Sequence, residues 1–407
     1  MTATVSRPRA DRTLRPGLVM VGILLIGANL RTAITTVGPV LGDVQHELRL
    51  SSVEASVLIS LPLVAFALVS PFAPAVSRLL GLECTLGAAL GLLTVGIVLR
   101  SVPGESALWS GTALLGIAIA LLNVLLPALV KRDFPSRIGQ VTGAYSAVQS
   151  AFAALAAGAA VPIAGLSESG WRLGLGIWAG LAVTALGVFA PQLRRRTAVP
   201  VAADDVTLDE LRRPDPVGRS PWRTALGWQV TVFMGLQSIV YYVLITWLAT
   251  IERAAGVDAA AAGTHQLLLN AFAIAGSLGC SALIPRFRDQ RMLGAVAPAL
   301  MILALVGMLA APHLGAVWDS LAGLSGGATI VLALSLFGLR TDHHAQATAL
   351  SGMAQSVGYL LAAAGPVVMG ALHDAVSSWT PTLLVLMALE LVLIVFGLLV
   401  GRRRVVG

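Results

Sequence analysis

Twelve apolar segments follow one another along this chain of 407 residues, and each is long enough for the roughly 20 residues that a helix needs to cross a bilayer. Backbone N–H and C=O groups find no water in the bilayer core, so only helices or closed barrels are stable there. Barrel strands alternate polar and apolar residues over about ten positions, whereas these runs are uninterrupted. The sequence therefore predicts an all-α membrane protein whose transmembrane helices span 17–40, 53–73, 84–102, 106–130, 140–163, 172–191, 224–250, 263–284, 292–311, 317–339, 347–372 and 380–400.

The composition excludes a water-soluble fold. Hydrophobic residues make up 57% of the chain and charged residues only 12%, against about 25% charged in soluble domains. A net charge of +7 would suggest an anionic or nucleic-acid partner in a soluble protein. Here the positive residues fall in alternate loops, so we expect them to orient the chain in the membrane, with a lipid bilayer and no nucleic acid as partner. The two cysteines, Cys84 and Cys280, lack metal-ligand spacing and are not expected to form a disulfide.

The distribution of Arg and Lys predicts the topology. Of the 27 such residues, 22 fall in the tails and in the loops on one side, four fall on the opposite side, and Arg31 lies inside the first span. Positive loops stay in the cytoplasm, so both termini are predicted to be cytoplasmic in a multi-pass protein of the cell (inner) membrane. The N-terminal arginines followed by an apolar run resemble a signal peptide. We interpret the run as a retained first helix because it continues for more than 20 residues.

One long polar segment divides the chain. Residues 192–223 are charged and rich in proline, and we predict a cytoplasmic linker there. It follows a cytoplasmic tail at 1–16 and an N-terminal six-helix bundle at 17–191, and it precedes a C-terminal six-helix bundle at 224–401.

An internal repeat supports this division. At an offset of 209 residues, equivalent ends of the predicted helices carry matching residues, namely Trp109 with Trp318, Lys131 with Arg340, and Gly143 with Gly352. Six helices inserted twice keep the same orientation, so the repeats are parallel. Two parallel halves with a pathway between them are the layout of major facilitator transporters.

Arg31, in the segment GANLRTAITTVGP (27–39), is the strongest candidate for a functional residue. A guanidinium stays protonated in proteins and is costly in the middle of a bilayer. It should therefore face a water-filled cavity or a partner, and a lone cation in a cavity is suited to bind a small anion or an electron-rich polar solute. The alternative is a buried ion pair, for which the acids to consider are Asp43, Glu47, Glu54 and Glu390.

Further polar residues form stripes on helices expected to line a central pathway. In such spans these side chains either contact a solute or hydrogen-bond between helices as part of the packing. The weaker candidates for substrate binding are Asn29, Thr35, Asn123, Tyr145, Gln149, Gln237, Tyr241, Asn270 and Gln355.

Two titratable residues have an open role. Glu390 lies within the last span and either carries a proton or is a protonated structural residue, and His265 is another group that can titrate near neutral pH. No catalytic motif, nucleotide-binding loop or metal cluster is evident, so neither enzymatic activity nor a cofactor is expected.

Several motifs resemble those of a known family, the cyanate/2-nitroimidazole branch of the major facilitator superfamily. They are NLR-x-AIT-x-VGP (29–39), LP-x-x-x-F-x-x-x-x-PFAP (61–74), GLE-x-TLG (81–87), N-x-LLPALVKRDFP (123–135) and ALSGMAQS-x-GYLLAA-x-GP (349–366). The resemblance covers nearly all of residues 15–400. It implies a major facilitator fold and an inner-membrane transporter of small polar solutes.

The loop after the second span departs from the superfamily pattern. Arg78 stands near the usual acidic position and Glu83 near a usual basic one, so the signs are exchanged. We predict a gating latch between Arg78 and Glu83, which Lys131, Arg132 and Asp133 join; the alternative is a set of solvated charges.

The sequence thus predicts a monomeric secondary transporter that moves a small polar or anionic solute, cyanate-like or nitroimidazole-like, by alternating access. A proton-coupled drug or metabolite exporter and a membrane sensor that binds without translocating remain as alternatives.

Overall fold

A computed structural model describes residues 16–50, 52–166, 170–194 and 220–406. The described residues form helices, short 3-10 turns and loops, with no strand among them. Nearly all of the predicted N-terminal tail and most of the predicted linker lie outside the described residues, and so do the N-terminal arginines of the segment that resembles a signal peptide.

The N-terminal half contains six membrane-spanning elements, three of which are broken into two segments. Their bounds are α1a (Pro16–Thr35), α1b (Val37–Leu48), α2a (Ser52–Val69), α2b (Ala73–Leu80), α3 (Leu82–Arg100), α4 (Glu105–Asp133), α5 (Ile138–Ala164), α6a (Trp171–Gly176) and α6b (Ala179–Phe189).

The C-terminal half contains six unbroken helices. Their bounds are α7 (Ala225–Ala254), α8 (Ala259–Leu283), α9 (Arg291–Ala310), α10 (Gly315–Leu339), α11 (His344–Val376) and α12 (Thr380–Val400). In the described part of the chain, twelve helical spans are long and apolar enough to cross a membrane, which confirms the predicted class.

The first span is longer than predicted. The helix breaks at Thr36, resumes at Val37 and continues to Leu48. Pro39 has no N–H group, so it cannot donate to the carbonyl one turn earlier, and this weakens the ladder at the break. The predicted end at residue 40 was wrong because α1b has an apolar face, on which Val40 is fully buried.

Close approach of α8 and α10 shapes the C-terminal half. A Cβ atom at Gly327 of α10 would lie 1.9 Å from the Ala273 carbonyl oxygen of α8, so only glycine fits there. Small residues let membrane helices pack backbone to backbone.

Two of the contacts between the bundles are related to each other by the repeat. Gly143 of α5 lies against α8, where a Cβ atom would overlap Ser281. Gly352 of α11 lies against the 3-10 turn between α2a and α2b, where a Cβ atom would be 2.8 Å from the Ser70 carbonyl oxygen. These glycines are one of the repeat pairs found in the sequence. The Ser281 hydroxyl donates to the Gly139 carbonyl across the first contact at 2.9 Å. Both glycines lie in the N-terminal part of their helices, so the two bundles are in contact toward this end.

Candidate functional site

A cavity of about 500 Å³ lies where the two bundles face each other. It is lined by side chains from α1a and α5 of the first half and from α7, α8, α10 and α11 of the second. These include Arg31, Ser150, Met234, Gln237, Ser238, Tyr241, Tyr242, Asn270, Ala273, Ser277, Ile330 and Tyr359.

Arg31 reaches into this cavity and contacts the opposite bundle. Its Nη1 donates to the Tyr241 hydroxyl at 2.8 Å, and its Cζ lies 5.0 Å from the centre of the same ring. Among the described residues no carboxylate forms an ion pair with Arg31. The guanidinium therefore keeps donor capacity for another hydrogen-bonding group in the cavity.

The acids considered as partners lie elsewhere. Glu47 pairs with Arg172 at 2.5 Å and accepts from the Trp171 indole at 2.7 Å. Glu390 lines a second cavity, and Asp43 is exposed.

Tyr241, Tyr242 and Tyr359 surround the guanidinium. Of these three, only Tyr241 is among the substrate-binding candidates predicted from the sequence. The rings of Tyr241 and Tyr242 meet edge to face with centroids 5.3 Å apart, and Tyr359 packs against Phe66 at 5.0 Å. Tyr242 was missed because neighbouring helical residues point about 100° apart and a polar stripe usually includes only one of them. Here the cavity is wide enough to reach both. Tyr359 lies four residues after Gln355 on α11, a spacing that places both residues on the same face of the helix.

Two amide side chains selected from the sequence also line the cavity. Gln237 donates to the Ser238 hydroxyl at 2.7 Å, and Asn270 donates to the Gln266 carbonyl at 2.9 Å. Each amide is held by its own helix, which fixes its orientation toward the open space.

Six of the ten candidates are not among the lining residues. Asn29 donates to the Leu25 carbonyl of its own helix at 2.8 Å and to the Leu181 carbonyl of α6b at 3.5 Å. Thr35 donates to the Ala153 carbonyl of α5 at 3.1 Å, so both side chains connect helices of the first bundle. Gln355 donates to the Asn123 carbonyl at 3.0 Å and thereby joins the two bundles. Tyr145 is buried in the core of the first bundle. The structure thus favours a packing role for these four, and it places the Asn123 and Gln149 side chains outside the described lining.

A second cavity of about 420 Å³ adjoins the first within the C-terminal half. The two share Gln237, Tyr241, Ala273 and Gly326. The second cavity has mostly apolar walls, with Glu390 of α12 as its acidic residue. The sequence left the role of Glu390 open, and the structure shows that Glu390 lines a cavity that adjoins the cavity at Arg31.

The predicted latch has a different pairing. Glu83 at the start of α3 pairs with Arg132 at the end of α4, and Arg132 also binds Asp133 at 3.0 Å. Arg78 is exposed. Lys131 is half-buried near Gly338 of α10, where a Cβ would lie 3.6 Å from the lysine Cβ. The expected Arg78–Glu83 pair is therefore replaced by Glu83–Arg132, because the end of α4 approaches the buried Glu83.

Arg100 at the end of α3 is a second buried guanidinium, although the charge distribution counts it among the four positive residues on the side opposite the termini. It is 1% exposed and donates through Nη1 to the Ala33 carbonyl at 2.7 Å, close to the break in the first span. Sequence position alone could not distinguish a residue that ends a helix in water from one that folds inward.

Two six-helix halves around a central polar cavity define a polytopic membrane transporter. The sequence model of the Major Facilitator Superfamily matches residues 23–363, and the chain belongs to this family.

The relatives confirm the resemblance found in the motifs. The chain is 40% identical to the 2-nitroimidazole transporter of Escherichia coli (strain K12) over 99% of both chains. It is 28% identical to the cyanate transport protein CynX of the same organism over 86% of this chain and 89% of that one. The outward conformation of the transporter FucP has the same fold, with a TM-score of 0.74 and 14% identity over 96% of this chain and 99% of FucP. These proteins are transporters rather than enzymes.

Proposed function

We propose that this protein is a secondary transporter that carries a small planar polar or anionic solute, of the nitroimidazole kind, through the cavity at Arg31. The observation that supports this most directly is the Arg31 guanidinium, which lies between the bundles and contacts a tyrosine hydroxyl rather than a carboxylate. A charge-assisted hydrogen bond to a nitro or carboxylate oxygen completes its coordination. The remaining candidates of the cavity are Gln237, Tyr241 and Asn270, joined now by Tyr242 and Tyr359.

The form of the cavity favours a ring over a linear triatomic ion. Three tyrosine rings beside the guanidinium offer stacking surfaces for a flat heteroaromatic solute. Cyanate has no ring to place there, and the relative named for cyanate is the more distant of the two. We therefore rank nitroimidazole-like solutes above cyanate-like ones.

Alternating access in this proposal proceeds by rocking of the two bundles about the cavity. The closed contacts at Gly143 and Gly352 separate when the solute leaves toward that end. The Glu83–Arg132 pair helps to hold one conformation. The charge distribution favours cytoplasmic termini in a protein of the inner membrane, and the proposed pathway lies within a single chain.

Counterflow in proteoliposomes tests the proposal. Vesicles loaded with unlabelled 2-nitroimidazole should accumulate labelled 2-nitroimidazole transiently, which a sensor that binds without translocation cannot do. Arg31→Ala should abolish this accumulation, and Arg31→Lys should impair it because an ammonium lacks the planar fork of donors. Unchanged counterflow in purified, correctly inserted Arg31→Ala protein contradicts the assignment.

A proton-coupled exporter is the second candidate, because Glu390 lines a cavity that shares residues with the cavity at Arg31. An intramembrane carboxylate in such a place can exchange a proton with the solute pathway. This alternative requires that solute movement depend on a proton gradient.

A further inference from the structure

Three side chains with metal-ligand chemistry meet at the end of the C-terminal bundle opposite the predicted linker. They are Glu252 near the end of α7, His265 in α8 and Asp319 near the start of α10. One donor atom from each lies within 4.8 Å of the other two, and the imidazole Nδ1 is 2.7 Å from the Glu252 Oε1 atom. Sequence spacing did not reveal this cluster, because the three helices that contribute to it are far apart in the chain.

The burial of these acids makes the cluster unusual. Asp319 is 0% exposed and Glu252 is 5% exposed. Within the described residues, both oxygens of Asp319 and the Oε2 atom of Glu252 have no hydrogen-bond partner. Burying an unpaired carboxylate is strongly unfavourable, and a second one beside it adds like-charge repulsion. A positive ligand between the two acids removes both penalties.

The Glu252 and His265 side chains pack directly against the backbone at the start of α10. A Cβ atom at Gly315, the first residue of α10, would lie 2.3 Å from the Glu252 Oε1 atom and 2.7 Å from the His265 Nδ1 atom. Any larger residue at this position would push the Glu252–His265 pair away from Asp319. The glycine therefore allows the three helix ends to converge.

We propose that Glu252, His265 and Asp319 bind one divalent transition-metal ion of the Zn²⁺ type. Zn²⁺ accepts carboxylate oxygen and imidazole nitrogen together, at about 2.0–2.2 Å, so a modest shift of the side chains brings all three donors onto one ion. Ca²⁺ and Mg²⁺ prefer shells of six or more oxygen atoms, which a site with an imidazole and two acids does not supply. The His265 side chain is 14% exposed and provides the route of entry.

The site is separate from the transport pathway. None of its three residues lines the cavity at Arg31 or the adjoining cavity of Glu390. The bound ion connects the ends of α7, α8 and α10, so its effect is to stabilise the C-terminal bundle. The inference stands whether or not the proposed solute is correct.

Metal content and thermal unfolding test this proposal on the full-length protein, purified without a histidine tag and reconstituted in nanodiscs. After incubation with Zn²⁺ and desalting, the wild type should retain about one equivalent by mass spectrometry, and its unfolding temperature should rise. Asp319→Asn and His265→Gln should each weaken Zn²⁺ binding by at least about tenfold. Asp43→Asn and His313→Gln are matched controls at exposed positions and should bind as the wild type does.

Thermal unfolding without metal distinguishes the expected loss of Zn²⁺ binding from misfolding of the variants. Asp319→Asn removes a buried unpaired charge, so without metal it should unfold at the wild-type temperature or above. Gly315→Ala is a second variant, which keeps all three ligands but should weaken binding through the overlap at its Cβ. Absence of retained Zn²⁺ in the wild type, or equal binding by Asp319→Asn, overturns the proposal.

Discussion

Arg31 and Tyr241 are hydrogen-bonded at 2.8 Å across 210 residues of chain, almost the offset that separates the two repeats. The two residues therefore occupy nearly equivalent positions on α1a and α7, the first helices of the two halves. One half supplies a cation and the other a phenol at the same level of the central cavity. The site is therefore asymmetric although the two halves of the scaffold repeat.

Replacement of Tyr241 should show how far this bond orients the guanidinium. Tyr241→Phe keeps the ring but removes the hydroxyl that accepts from Arg31, so Arg31 becomes free to rotate. We expect the KM of solute transport to rise by about tenfold, the size of one hydrogen bond to a charged group. Tyr145→Phe is the matched control, since Tyr145 is buried outside the cavity, and it should leave the KM unchanged. Equal effects of the two variants would refute a specific role for the bond.

Glu390 offers a test of proton coupling. Glu390→Gln keeps the shape of the side chain and removes its ability to exchange a proton. If the exporter alternative is correct, the variant should lose solute movement driven by a pH gradient and retain counterflow. Its unfolding temperature should not fall, because the buried Oε2 atom of Glu390 has no partner among the described residues. Gradient-driven transport at the wild-type rate by Glu390→Gln would show that Glu390 is a structural residue.

The Glu83–Arg132 pair should behave as a coupled unit. Glu83→Arg places two guanidinium groups together, and Arg132→Glu places two carboxylates together, so each single variant should slow transport by about tenfold or more. The double variant restores opposite charges and should recover much of the rate. Initial rates in proteoliposomes for the four proteins give the coupling energy. Arg78→Glu, at an exposed position, is the control, and additive losses in the double variant would show that the pair is not coupled.

The close contact at Gly143 should control the conformational equilibrium. Gly143→Leu introduces a side chain whose Cβ overlaps Ser281, so the contact between α5 and α8 cannot close. We expect the bundles to separate at this end, as measured by the distance between spin labels on the two halves. Gly158→Leu lies on the same helix, where a Cβ meets no described atom within 4 Å, and should leave that distance unchanged. A closed contact in Gly143→Leu would show that the helices adjust locally instead of rocking.

Much of this architecture was predictable from the sequence. The twelve spans follow from uninterrupted apolar runs. Each crossing of the bilayer requires about 20 residues, and their backbone N–H and C=O groups must hydrogen-bond to one another. The repeat followed from residues such as Gly143 and Gly352, and the structure places both at equivalent contacts between the bundles. Arg31 was also identified in this way, since a permanent charge in an apolar run must find a polar environment.

Only the tertiary structure decided which polar side chains share a cavity. Asn29, Thr35, Gln237 and Asn270 have similar sequence signals, yet the first two bond to neighbouring helices and the last two face the cavity. Asn29 reaches its neighbouring helix through the Leu181 carbonyl. The difference depends on the rotation of each helix against its neighbours, which helical periodicity does not fix. The Glu252–His265–Asp319 cluster has the same origin, because contacts between helices that are distant in the chain form only when the bundle packs. Hydropathy is a local property that the sequence determines, whereas convergence of side chains is a property of the packed helices.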